Sequence, residues 1–333
     1  GDNDRLASRV AQITNADTLI LLSDVDGLYT KNPKIYKDAK LIKEIKNINS
    51  NIEEVAKKSI GEYGTGGMKT KIDAAKVGGI MANKKNPVDF LLENLKIQNN
   101  LIENSYNFGV KRLLFLGSSC IYPKFCKQPI KENYLLNDQL ESTNQWYAIA
   151  KIAGLKLCQA YRQQHGFDTI SLMPTNLYGP RDNYDLNNSH VMAAFIRKFY
   201  EAKKSNMKSV KCWGTGKPLR EFLYVEDLAE ACIYVLENWD PNKENAPRDY
   251  FGNKLSWLNV GSNFELSIRE LVEMISNQCD FKGRIKWDHT KPDGTKRKKL
   301  DTSKMFDLGW EPKINLEKGI KETISSYMKG KNK

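Results

Sequence analysis

Apolar residues follow two rhythms along this chain, one helical and one short and unbroken, and the two alternate. From Val88 to Phe108 they fall at Phe90, Leu91, Leu95 and Leu101–Ile102. That spacing predicts an amphipathic helix, with Gly109 as its stop. Arg112–Leu116 then reads as a short apolar strand ending on Gly117-Ser118-Ser119. The helical rhythm returns over Gln145–His165 and stops at Gly166, and Thr169–Met173 is the next strand, with Pro174 opening its exit. Val191–Lys203 and Val225–Glu237 are further predicted helices, and the Pro-, Asn- and Asp-rich stretch Asn238–Asn253 reads as a surface loop. Upstream, the pattern predicts a helix (Arg5–Ile13), a strand (Thr18–Leu22), a loop (Ser23–Pro33), a helix near Ile52–Ser59, a glycine-rich turn (Gly61–Gly67) and a helix from Met68. Helices alternating with short buried strands predict an α/β fold with a parallel sheet.

Composition narrows the function classes. The 333 residues are 40% hydrophobic and 28% charged, ordinary for a globular protein. The apolar runs are strand-sized, far short of a bilayer span, so no membrane partner is expected. Gly1-Asp2-Asn3-Asp4-Arg5 has no apolar region of the kind that opens a signal peptide, and without an initiator Met it reads as the inside of a longer frame. Six scattered cysteines without a C-x-x-C pair suit a reducing, cytoplasmic setting, and with three separated histidines they predict no metal site. The net charge of +12 is spread as lysine over helix faces, and only Lys291–Lys304 is dense. An anionic small substrate accounts for it better than nucleic acid.

The chemistry is concentrated around Tyr147 and Lys151, which lie one helical turn apart and share a helix face. An ammonium beside a phenol favours the phenolate, moving an acid of ordinary pKa about 10 toward neutrality. Ser118 and Ser119 close a predicted strand, where ligands of open parallel sheets bind. A lone Y-x-x-x-K is a weak signal, and its position after a Ser-Ser strand end strengthens it. Cys120 and His190 carry side chains that titrate within about two units of neutrality. Packing roles are the bland alternative for both. Arg220 suits a diphosphate or a surface ion pair, Trp213 a base or the core, and Asn176 lies just past a strand end.

The flanking motifs carry a resemblance. VGGIMAN (Val77–Asn83), LLFLGSSCIYPK (Leu113–Lys124), QPIKE (Gln128–Glu132), YAIAKIAG (Tyr147–Gly154) and MPTNLYGPRDN (Met173–Asn183) occur in order. SHV (Ser189–Val191), WGTGKPLREFLYVEDLA (Trp213–Ala229) and KPDGTKRK (Lys291–Lys298) follow. From about Ala75 onward the chain resembles the GDP-L-fucose synthases, extended short-chain dehydrogenases/reductases. The resemblance implies an NADPH-dependent enzyme that epimerises C3 and C5 of GDP-4-keto-6-deoxy-D-mannose and reduces C4. It implies Tyr147 as proton donor, Lys151 as its tuner and a ribose contact, Ser118 as hydroxyl partner, and Cys120 with His190 as the epimerisation pair. It further implies cofactor contacts at Lys151, Ser118, Pro174, Asn176 and Leu177, and substrate contacts at Asn176, Lys198, Trp213 and Arg220. Arg197-Lys198 supply a basic residue in the helix after SHV. A homodimer through the long helices is also implied.

Before Ala74 the resemblance changes. GDNDRLASRVA (Gly1–Ala11), ADTLILLSDVDGLYTKNP (Ala16–Pro33) and GTGGMKTKIDAAK (Gly64–Lys76) resemble glutamate 5-kinase, an amino-acid kinase. That implies glutamate contacts at Asn3 and Asp4, a nucleotide-side loop at Ser23–Asp26 and a phosphate-side turn at Gly66–Lys71. The kinase glycine loop and phosphate lysine would precede Gly1, so standalone phosphorylation of glutamate is the weaker reading. Both patterns share the stretch from Ala74 to Ile80. The glycine turn that would cradle the NADPH pyrophosphate belongs where kinase-like sequence stands, so the sequence leaves cofactor retention open.

The expected architecture is therefore a partial Rossmann-type parallel sheet with a smaller C-terminal substrate domain, fused behind an amino-acid-kinase-like α/β fragment. The expected divisions are a kinase-like fragment over 1–76, the remainder of the NADP-binding domain over 77–178, and a nucleotide-sugar domain over 179–333.

Overall fold

The computed structural model describes residues 38–40, 87–184 and 189–331. The chain divides into two compact units, Gly1–Gly78 and Gly79–Lys333, and the helices and strands from Pro87 onward belong to the second. The elements expected before Pro87, the shared stretch from Ala74 to Ile80 and the kinase-like contacts lie outside the described residues.

The sequence rhythm becomes α1 (Pro87–Asn107), β1 (Arg112–Leu116), α2 (Gln145–His165), β2 (Asp168–Pro174), β3 (Asn176–Tyr178) and α3 (Val191–Lys204). Next come β4 (Ser209–Trp213), β5 (Leu219–Tyr224), α4 (Val225–Asn238), β6 (Trp257–Val260), β7 (Glu265–Ser267) and α5 (Ile268–Gln278). The run closes with β8 (Arg284–Asp288), β9 (Arg297–Lys298), α6 (Ser303–Asp307) and α7 (Leu316–Lys331).

The first sheet is parallel, in the order β1-β2-β6. Central β2 is buried at every position after Asp168, as a parallel strand covered on both faces must be. Ile170 and Leu172 pack with Leu228, Ala231 and Val235 of α4. Met173 packs with Phe115 of β1 and Ile152 and Leu155 of α2. Gly154 lets α1 and α2 close on β1, because a Cβ there would lie 2.5 Å from Phe115 Cζ and 2.7 Å from Gln98 Oε1. Gln98 is buried and its amide donates to the Ala150 carbonyl at 2.6 Å. Leu101, expected on the inner face of α1, is 56% exposed; the helix turns Gln98 and Ile102 inward instead.

A second sheet joins β3 to β5 in parallel, with β7 antiparallel and β9 parallel to β5. β4 pairs with β8 separately. Ile196 and Phe199 of α3, Leu271 and Ile275 of α5 and Ile320 of α7 share one core with Phe222 and Tyr224 of β5. A capping box starts α5: Ser267 Oγ accepts from Glu270 N while Glu270 accepts from Ser267 N. The stretch from Asn238 to Asn253 is turns, as expected, yet it is pinned by Trp239, which is fully enclosed in the cluster beneath α4. No described helix is long and apolar enough to cross a membrane.

Candidate active site at the C-terminal end of the parallel sheet

β1 leaves the sheet at Gly117, where a Cβ would sit 2.3 Å from Met173 Sδ. Any side chain there would have to displace the buried Met173 thioether. Ser118 caps the 3-10 turn Ser119–Ile121, its Oγ accepting from Cys120 N at 3.2 Å. Alongside, the first turns of α2 carry Tyr147 and Lys151. Lys151 Nζ donates to the Leu116 carbonyl at 2.9 Å and lies 5.8 Å from the Tyr147 ring centroid and 5.0 Å from that of Phe115. Burial draws this lysine down from its usual value to about 8. A hydroxyl, a phenol and a poorly solvated ammonium thus stand at one strand end.

Cys120 shares that end. Lys298 Nζ, on β9, donates to Cys120 Sγ at 3.4 Å. Burial pushes the thiol up, but the Lys298 charge and hydrogen bonds with Ser118, Lys298 and Asn144 bring it below the ordinary thiol value. Its neighbour Cys126 goes the other way, raised by burial.

The adjoining edge is built by two segments clasped together. Asp293 accepts from Thr215 N at 2.9 Å and from Thr215 Oγ1 at 2.7 Å, joining the segment from Trp213 to Arg220 to the one from Lys291 to Lys298. Trp213 is 63% exposed, so it is no core residue. Lys198 and Lys291 place their Nζ atoms 5.6 and 5.4 Å from its ring centroid. Arg220, opposite Lys298 in the β5–β9 pair, donates to the carbonyls of Leu219 and Thr295 rather than to a carboxylate.

Ser118, Cys120, Tyr147 and Lys151 are therefore brought to one place, and Lys198, Trp213 and Arg220 border the β5–β9 edge. His190 is the exposed N-cap of α3. It makes no hydrogen bond with Cys120; it faces Asp182, whose carboxyl is raised by burial and drawn part of the way back by the Asn183 N–H and then by His190. Pro174 ends β2 and is buried; Leu177 packs its side chain beneath α4. Asn176 donates to the Glu221 carbonyl at 2.8 Å. Arg197 is engaged by Glu201 and the Tyr184 carbonyl, leaving Lys198 as the basic residue of that pair beside Trp213. Sequence reasoning missed Lys298 and Lys291. Both lie in a motif it singled out, but 178 positions separate Lys298 from Cys120, and they meet only because the fold pairs β9 with β5 and ties the residues after it to Gln128 and Ile130.

Comparison with known proteins gives a consistent picture. Residues 56–250 match the NAD dependent epimerase/dehydratase family, and residues 1–77 match the amino acid kinase family. GDP-L-fucose synthase 1 of Arabidopsis thaliana is 54% identical over 256 residues, 77% of this chain and 75% of that protein. GDP-L-fucose synthase of Escherichia coli strain K12 is 47% identical over 264 residues, 78% of this chain and 80% of that protein. Among solved structures, a GDP-L-fucose synthetase from Naegleria fowleri bound to NADP superposes with a TM-score of 0.66 at 26% identity, covering 77% of this chain and 76% of that one.

Proposed function

Because the chain belongs to the NAD dependent epimerase/dehydratase family, we propose that it is an NADPH-dependent 3,5-epimerase/4-reductase converting GDP-4-keto-6-deoxy-D-mannose to GDP-L-fucose. The observation that carries this reading is the meeting of a phenol, a buried ammonium, a hydroxyl and a lowered thiol at the end of β1. The donor set suits the nicotinamide–ribose end of NADP: Lys151 and Ser118 would hold it, with Pro174, Asn176 and Leu177 bordering it. The bound dinucleotide supplies a hydride to C4.

In this reading Ser118 and Tyr147 hydrogen-bond the C4 oxygen, and Tyr147 gives that oxygen its proton. Lys151 stabilises the phenolate left behind. Earlier, Cys120 and His190 exchange protons at C3 and C5, where the neighbouring ketone acidifies the C–H bonds. A thiol and an imidazole can serve opposite faces of the ring, removing a proton on one side and returning it on the other. Trp213 offers a face for the guanine, while Lys198 and Arg220 answer the diphosphate.

The amino-acid-kinase match spans only residues 1–77, so glutamate phosphorylation is set aside as the main activity. We assign 77–178 to the cofactor half and 179–333 to the nucleotide-sugar half, in a cytoplasmic homodimer. Exposed Leu92 and Leu101 of α1 and Ile149 of α2 support self-association through those helices. The experiment is NADPH consumption by the full chain with GDP-4-keto-6-deoxy-D-mannose, beside Tyr147→Phe. Oxidation that Tyr147→Phe suppresses about a hundredfold or more supports the reading; equal rates in both refute it.

A further inference from the structure

Lys298 is tied down more firmly than a surface lysine needs. Its strand pairs with β5, placing it opposite Arg220. On the next two residues, Lys299 N donates to Gln128 Oε1 at 2.9 Å and Leu300 N to Glu221 Oε2 at 3.0 Å. Ile130 N donates to the Lys299 carbonyl at 2.8 Å and Asp301 N to the Ile130 carbonyl at 2.8 Å. These bonds hold the base of the side chain from two sides, and its Nζ reaches Cys120 Sγ.

The surrounding carboxylates are engaged elsewhere. Glu265 pairs with Arg297. Buried Glu132 takes Lys304 and Asn259 N, and buried Glu221 takes Asn263 N and Leu300 N. Among the described residues Lys298 forms no ion pair with a carboxylate. The groups acting on the thiol are the Lys298 ammonium from β9, the Ser118 hydroxyl from its own turn and the Asn144 carboxamide ahead of α2. Cys126 shares the field of the same ammonium but is not brought below its ordinary value.

We propose that Lys298 is a positioning residue for Cys120, its fixed ammonium holding the sulfur as a thiolate ready to take a proton from the carbon beside the sugar ketone. This deepens, and its catalytic part rests on, the epimerase reading above. In the step, the C–H bond breaks, an S–H bond forms, and the electron pair passes into the enolate. Lys298 keeps its proton throughout. A sulfur already ionised serves as the acceptor in the exchange, and the proton on the opposite face must come from another group.

The test is a pH titration of thiolate ultraviolet absorbance on the full chain without substrate, with the signal of Cys120→Ser subtracted. In the wild type the Cys120 midpoint is expected below the ordinary thiol value of about 8.5. Lys298→Met should raise it by about one unit or more, a tenfold loss of thiolate at neutral pH, while Lys298→Arg retains most of the depression. A wild-type midpoint at or above the ordinary value overturns the proposal without any Lys298 variant having to fold. So does an unchanged midpoint in a Lys298→Met protein of native circular dichroism. Deuterium incorporation from solvent at C3 and C5 separates the two claims. A Lys298-dependent thiolate in a wild type that exchanges no deuterium supports the pairing and refutes epimerisation. Exchange whose pH profile ignores Lys298→Met refutes the pairing and leaves epimerisation standing.

Discussion

Asn259 lies in β6 with its side chain fully enclosed, and replacing it with alanine tests what ties the segments at Tyr122, Ile130 and Asp301 to β6. Its Oδ1 accepts from the Tyr122 hydroxyl at 2.6 Å. Its Nδ2 donates to the carbonyls of Ile130 at 2.9 Å and Asp301 at 3.2 Å. Asn259→Ala removes all three bonds. The Ile130 carbonyl keeps Asp301 N, whereas the Tyr122 hydroxyl loses its acceptor on a residue only 4% exposed. At about 1 kcal/mol net per bond, with more for a buried group left unpaired, the loss should be about 3 kcal/mol. Tyr122→Phe removes one bond and should cost about 1 kcal/mol. Because the two share that bond, the double variant should fall short of the summed costs by about 1 kcal/mol. Urea unfolding followed by tryptophan fluorescence suits the measurement, since every tryptophan lies at or beyond Trp146 and so reports the second unit alone. A cost below about 1 kcal/mol for Asn259→Ala, or strict additivity with Tyr122→Phe, would refute the reasoning.

Gly154→Val should lower the thermal midpoint of the second unit, costing about 1–3 kcal/mol, because the added atoms meet Phe115 Cζ and Gln98 Oε1; an unchanged melting curve counts against that packing. Trp213→Ala should weaken GDP-sugar binding about tenfold by calorimetry, on the scale of one base–aromatic stack, with the melting curve preserved since the ring is exposed. Lys151 is charged below its value of about 8 and loses that charge above it. Ketone reduction should therefore decline on the alkaline side of about 8, and a flat profile there would remove Lys151 from its tuning role.

The long elements were legible in the sequence. β1 and α2 match their expected bounds, and α1, β2, α3 and α4 agree to within a residue at each end. Their apolar spacing is regular and their stops are marked; Gly166 adopts the left-handed cap at φ 64° that its position predicts. Strands such as β3, β7 and β9 are too short for any period to show and exist because β5 offers partners. Leu101 misled because hydrophobicity does not reveal which side of a helix meets the sheet; Gln98 could take an inward place by donating to Ala150. At the site, the Tyr147–Lys151 spacing was legible because both residues sit on one helix. The dense charge of Lys291–Lys304 read as a single patch. In the fold it separates into Lys291 beside Trp213, Lys298 at Cys120 and Lys304 on Glu132.

That ribbon is one covalent strand serving two rooms. Its exposed opening, from Lys291 to Gly294, leans on Trp213 and Thr215, while its far end is threaded beneath Ile130 and Glu221. A single proteolytic nick between Lys296 and Arg297 would cut the tether that keeps the indole edge and the sulfur in step, leaving each half held from one side only. Loss of the ligand edge and loss of the acidic thiol would then arrive together, from one broken peptide bond that touches neither group.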